Sequence, residues 1–260
     1  MPAFQWKSLT VSVALALAAL AAPVAQAQQQ SASEAREQIE TRIMARLKLA
    51  SEYYSRNQVG AALRELMSAQ DISNDYAPLQ NMLGVVNMDL RRYDEAEKAY
   101  QRALKLERDN PDIHNNYGWF LCVSGQHAKG QDWLAKAWNN PLYATPEKAL
   151  YNAGRCARMA NEQTRAVEFF AKALQVSPNS TAILYELANM QFEQGNYAKV
   201  LDVIDRIHTV EPASPQSLWL ALRTERRLGH AAEVESYGSQ IQRKFPNSAE
   251  AALWLTRSIN

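Results

Sequence analysis

The chain has 260 residues, 47% of them hydrophobic, which is ample material for a buried core. Its 28 Lys+Arg against 27 Asp+Glu give a formal net charge of +1, which leaves no footprint for nucleic acid or for an acidic membrane surface. Nine glycines are few for a β-rich fold or for phosphate-cradling loops, whereas long helices do not require them.

Residues 1–27 differ from the rest of the chain. Lys7 is their only charged side chain, Leu9 to Ala22 is a nearly unbroken run of Ala, Leu and Val, and Pro23 precedes Ala25-Gln26-Ala27. A positive start, a short apolar run and a small-x-small ending describe a secretory signal peptide, with cleavage expected after Ala27 and no acylation. The alternative is an uncleaved anchor, although the run is too short to span a bilayer comfortably. Without Lys7 the mature chain carries 27 residues of each sign and is neutral. No later stretch is long and apolar enough for a transmembrane helix, so an exported, soluble protein with no direct membrane span is expected.

Gln28 to Ser33 are small and polar and read as a flexible lead-in, and Glu34 to Thr41 as an extension of the first helix, so that 28–42 precede the repeats. From Glu34 onward apolar residues recur at three- and four-residue spacing without strand-like alternation, which reads as helix after helix. The organising feature is a 34-residue period. Registers start at Ile43, Ala77 and Pro111, and after the two-residue insertion Thr145-Pro146 they continue from Glu147, Thr181 and Pro215. The eighth position is then Ala50, Gly84, Gly118, Gly154, Ala188 and Leu222, and the twentieth Ala62, Ala96, Gly130, Ala166, Val200 and Val234. The twenty-fourth is Leu66, Tyr100, Leu134, Phe170 and Ile204, with Gly238 as the exception, and the twenty-seventh runs from Ala69 through Ala173 to Ile241. Pro178, Pro212 and Pro246 hold the thirty-second position of the last three registers.

This is the pattern of the tetratricopeptide repeat: two antiparallel helices, small residues where they approach, a bulky residue filling the gap, and a proline that stops the second helix. The expected fold is all-α, a right-handed superhelix of about six repeats over 43–248, closed by a capping helix over 249–260 whose first turn Ser248 caps. The turns within pairs show as Gln194-Gly195-Asn196-Tyr197 and Leu228-Gly229-His230.

Little in the chain suggests chemistry. His114, His127, His208 and His230 do not pair with one another or with cysteine at metal-ligand spacing, and no nucleophile elbow, phosphate loop or metalloprotease helix occurs. The reading is therefore not an enzyme, with no cofactor and no metal. Cys122 and Cys156 lie on the first helices of neighbouring repeats, helices that pack side by side in such a solenoid. In an oxidising compartment they would form a disulfide across the inserted residues, contributing roughly 3–4 kcal/mol; the alternative is two buried free thiols.

The segment Asn115-Asn116-Tyr117-Gly118-Trp119-Phe120-Leu121-Cys122, together with the export signal and the repeats, resembles the PilF/PilW proteins, the type IV pilus biogenesis and stability factors, or pilotins, of Gram-negative bacteria. The resemblance implies action at the outer membrane in assembly or localisation of the secretin ring, hence a periplasmic protein whose partner is the secretin subunit. Members of that family are typically lipoproteins, whereas here no cysteine precedes Cys122, so membrane association would run through the partner.

In a stacked-pair solenoid the first helices line the concave wall. Register positions five, nine and twelve place Asn81, Val85 and Met88 there in the second repeat, Asn115, Trp119 and Cys122 in the third, and Tyr151, Arg155 and Arg158 in the fourth. Aromatic, amide and guanidinium groups suit an interface core, and paired asparagines can hold an extended peptide by its backbone. Tyr117, Gly118 and Phe120 read as repeat packing, and Arg155 and Arg158 can equally be a solvated face. The expected protein is a monomeric scaffold that binds protein and no nucleic acid. The alternatives are a general envelope scaffold for cell-wall or polysaccharide enzymes and a dedicated chaperone or regulatory subunit.

Overall fold

Helix starts and stops follow local chemistry. A computed structural model of the chain describes Gln30 and residues 33–258, so the signal-peptide reading of 1–27 and most of the lead-in fall outside the described residues. Gln30 and Ser33, expected in a flexible lead-in, are instead helical, and the Ser33 hydroxyl donates to the Gln30 carbonyl at 2.7 Å. The helices are α1 (33–55), α2 (Val59–Gln70), α3 (Ala77–Asp89), α4 (Tyr93–Leu106), α5 (Pro111–Val123), α6 (His127–Trp138), α7 (Pro146–Met159), α8 (Gln163–Val176), α9 (Thr181–Glu193), α10 (Tyr197–Val210), α11 (Pro215–Leu228), α12 (Ala231–Lys244) and α13 (Ala249–Leu255). Among the described residues there is no strand. Pro111, Pro146 and Pro215 open α5, α7 and α11, where a missing backbone N–H costs nothing. Asn110 accepts from the Asp112 and Ile113 amides, Ser214 and Ser217 form a reciprocal capping box, and Ser248 accepts from the Ala251 amide.

The turn within each helix pair uses one device. Asn57, Arg91 and Asn161 have φ of 58°, 59° and 60°, and Gly125, Gly195 and Gly229 have φ of 80°, 76° and 84°. All occupy the fifteenth position of their registers. A single left-handed residue reverses the chain there, which glycine and asparagine tolerate and arginine tolerates at a cost.

The small and bulky positions interlock. A Cβ built on Gly84 would sit 2.5 Å from the Tyr100 ring, one on Gly154 the same distance from Phe170, and one on Gly118 2.8 Å from Leu134 Cγ. Tyr100, Leu134 and Phe170 are fully buried, so each bulky side chain fills the gap left by its glycine. Gly238, where the bulky residue is missing, obeys the same logic from elsewhere. Trp254 of α13, only 4% exposed, lies where a Cβ on Gly238 would go. The capping helix thus supplies the filler that the sixth register lacks.

The described residues divide into two units, the first ending at Asp109 and the second beginning at Asn110. In the first, Ile43, Ala50, Leu66, Leu79, Leu83, Val86 and Ala99 form the core. In the second, one cluster runs from Cys122 and Leu134 through Phe170 to Ile183 and Met190, one gathers Leu184, Ile204 and Leu220, and one lies between Leu218, Ile241 and Trp254. Burying each such side chain contributes about 1.5–3 kcal/mol. Cys122 and Cys156, both fully buried, are joined in a disulfide with Cα atoms 5.4 Å apart, which ties α5 to α7. No helix among the described residues is long and apolar enough to cross a membrane.

Candidate protein-binding face

In the second unit the first helices α5, α7 and α9 present a continuous row of polar and aromatic groups. The Arg155 guanidinium stacks over Trp119, 4.2 Å from the ring centroid, and lies 5.6 Å from the Tyr151 ring. Its Nε stands 3.8 Å from Glu186 of α9, and the Glu186 side chain is 17% exposed. Arg158 spends both ends of its fork, donating from Nη1 to Glu186 and from Nη2 to Glu193 at 2.7 Å. Such a bidentate bridge holds α7 against α9. Burial pushes the Tyr151 hydroxyl pKa up, and Glu186 adds to this while Arg155 partly opposes it. Farther along, Arg223 of α11 stacks over Phe192 of α9 at 4.5 Å. A cleft of about 430 Å³ opens beside this row, lined by Arg155, Arg158, Met159, Asn161, Gln163 and Glu186.

The structure thus brings together Trp119, Tyr151, Arg155 and Arg158. Asn115 is placed differently from expectation. It is 6% exposed, its Nδ2 donates to Asn116 at 3.1 Å, and its Oδ1 accepts from Asn152 at 2.9 Å. Its amide joins α5 to α7 instead of facing a ligand. Cys122, read as inward-facing, lies in the core within the disulfide. Tyr117 and Phe120, 8% and 2% exposed, are packing residues. Asn81, Val85 and Met88 are carried by α3 of the first unit, all partly exposed.

Sequence reasoning missed Glu186, Glu193, Asn152, Phe192 and Arg223. Phe192 and Arg223 follow from carrying positions nine and twelve into the fifth and sixth registers. Asn152 and Glu186 share the sixth position, whose role exists only across two successive repeats. Among the described residues no group of three or more His, Cys, Asp or Glu could hold a metal ion.

Comparison with known proteins agrees with this architecture. Three tetratricopeptide-repeat family models match residues 77–110, 99–132 and 157–225. The type IV pilus assembly protein PilF of Pseudomonas aeruginosa is 25% identical over 206 residues, covering 79% of this chain and 82% of that protein. Among solved structures, PilW, a widely conserved type IV pilus biogenesis factor, superposes with a TM-score of 0.70 at 25% identity, covering 82% of this chain and 98% of PilW. The Pseudomonas aeruginosa PilF structure shares the fold with a TM-score of 0.65 at 23% identity, over 84% of this chain and 99% of PilF. This chain is therefore a tetratricopeptide-repeat protein, homologous to PilF and built on the same fold as PilW.

Proposed function

We propose that this protein is a periplasmic scaffold of type IV pilus biogenesis that assists assembly or localisation of the outer-membrane secretin by binding the secretin subunit. The observation that carries this reading is the row formed by Trp119, Tyr151, Arg155, Arg158 and Glu186, an aromatic and guanidinium surface pinned by ion pairs between successive first helices. Tyr, Trp and Arg are the side chains that dominate binding energy at interfaces, and their immobilisation beforehand lowers the entropy lost on binding. Homology to PilF over most of both chains supports the pilus context.

The test is co-purification from detergent-solubilised envelopes. Wild-type protein is expected to bring down secretin subunits. Trp119→Ala, which removes the partly exposed anchor, should weaken that capture by about 2 kcal/mol or more, close to thirtyfold, with helical content unchanged. Full secretin capture and multimer assembly with Trp119→Ala would refute the assignment to this face. Capture of cell-wall or polysaccharide enzymes in place of secretin would move the scaffold to a different envelope machine.

A further inference from the structure

The first unit holds a second cleft, on its second-helix side. It measures about 550 Å³ and runs between α2 and α4. Leu63 and Met67 line it from α2, Lys98 and Lys105 from α4, and the buried Leu83 and Asn87 of α3 form its floor. Along each wall the lined stretch is about 10 Å, two helical turns. Met67 is 54% exposed, a large apolar side chain left in water on one wall.

The charge of the cleft is one-sided. Among the described residues Arg92, Lys98 and Lys105 form no ion pair, and the lining holds one carboxylate, that of Glu95. Arg102 is engaged by the Asn74 carbonyl and by Asp75, which is not part of the lining. The amide side chains along the walls are engaged too: Gln70 and Gln80 donate to Asn74, Gln101 to Glu97, and Asn87 to the Leu83 carbonyl. Few groups remain to satisfy the bare backbone of an extended segment, whereas a helix brings its backbone bonds with it. A bilayer surface cannot follow a trough between two helices, and no aromatic side chain lines the cleft to stack a nucleobase.

We propose that this cleft receives an amphipathic helix of a partner protein, about two to three turns long, with acidic residues along the flank beside α4 and an apolar stripe at i, i+4 and i+7 resting on Leu63 and Met67. Charge complementarity to Arg92, Lys98 and Lys105 selects the acidic flank, and the exposed, adaptable thioether of Met67 selects the apolar stripe. The site lies wholly in the first unit and goes beyond the first-helix row read as secretin-binding.

The test uses the full mature protein and a displayed library of hydrocarbon-stapled helices about three turns long, randomised on every face. Counter-selection against Met67→Arg, which blocks the apolar wall and keeps the cations, removes helices that bind elsewhere. The best binder is then measured by fluorescence anisotropy. Recovered helices should carry Asp or Glu along one flank and Leu, Met or Phe at i, i+4 and i+7. Lys98→Glu/Lys105→Glu should weaken binding about tenfold, because two exposed attractions become repulsions. Changing the acidic flank of the helix to lysine should restore binding to that double variant and lose it to wild type. Circular dichroism should show each variant folded, because Met67, Lys98 and Lys105 are exposed.

Helices recovered without an acidic flank, or no helix recovered at all, would overturn the proposal. So would an unchanged affinity for the double charge reversal. A proline-interrupted peptide that binds as well as the stapled one would make the occupant an extended segment and refute the helix. Sedimentation equilibrium of the mature protein alone should show a monomer. Self-association that disappears in Lys98→Glu/Lys105→Glu would put a second copy in the cleft in place of a partner protein, and would equally refute it. None of these results touches Trp119, so the secretin reading stands or falls on its own co-purification.

Discussion

Adding one methyl group at Gly154 tests the packing rule on which the repeats are built. A Cβ there would lie 2.5 Å from Phe170 Cε1, 2.7 Å from Cδ1 and 2.8 Å from Cζ, well inside van der Waals contact. Phe170 is 0% exposed and packs in the central cluster of the second unit, so its ring has no room to retreat. Overpacking of this kind costs about 1–3 kcal/mol, against a gain of about 0.5–1 kcal/mol from replacing glycine by alanine inside a helix, so Gly154→Ala should lose about 0.5–2 kcal/mol. The sign should reverse when the ring is removed. Phe170→Ala alone should cost about 3–5 kcal/mol, and adding Gly154→Ala to it should recover about 0.5–1 kcal/mol, because only the helix preference remains. Thermal unfolding followed by circular dichroism reads this as a shift of about 2–4 °C per kcal/mol for a protein of this size. A higher midpoint for Gly154→Ala in the wild-type background, or the same shift in both backgrounds, would refute the interlock.

The remaining predictions concern the turns, the disulfide and one histidine. Arg91→Gly removes a left-handed arginine at φ 59° and should stabilise by about 0.5–1 kcal/mol, read as a raised melting midpoint; an unchanged or lower midpoint would contradict the turn argument. Cys122 and Cys156 are separated by 34 residues in sequence, so Cys156→Ser should cost about 4 kcal/mol on the chain-entropy account, and the buried bond should resist mild reductant until the protein unfolds. Free thiols in the folded exported protein, detected by alkylation without reductant, would contradict this. Burial lowers the His208 pKa from its ordinary 6.5, and the ring also bonds Ser217 at 2.9 Å. The unfolded chain then binds the proton more readily, so His208 makes stability fall as pH drops from 6.5 toward its lowered native value, and His208→Gln should flatten the dependence of the melting midpoint on pH in that window.

The helix pairs were legible because packing constrains single positions strongly: Gly84, Gly118 and Gly154 can be nothing larger while Tyr100, Leu134 and Phe170 face them. The exception at Gly238 could not be understood from its own repeat, since its partner Trp254 lies beyond the periodic region. The within-pair turn was legible at Gly195 and Gly229 but not at Asn57, Arg91 and Asn161, because asparagine and arginine take the same left-handed backbone there without glycine's signature. The geometry of the candidate face was legible in part. Trp119, Tyr151 and Arg155 project where the helical register puts them, but register says nothing about which polar side chains are already spent. Asn115 accepts from Asn152, and Arg158 donates to Glu186 and Glu193, pairings that form only when successive repeats stack.

The central claim is that this face contacts the secretin subunit, and in-cell photo-crosslinking tests it most directly. A photoreactive amino acid placed at Met159, which is 43% exposed and lines the cleft beside Arg155, samples the face without disturbing the ion pairs. The same residue at Lys172, exposed on α8, samples the second-helix side of the same repeat. Irradiation of living cells should join secretin to the Met159 probe and leave the Lys172 probe unlinked. Secretin captured only from Lys172, or no secretin captured from Met159, would contradict the account.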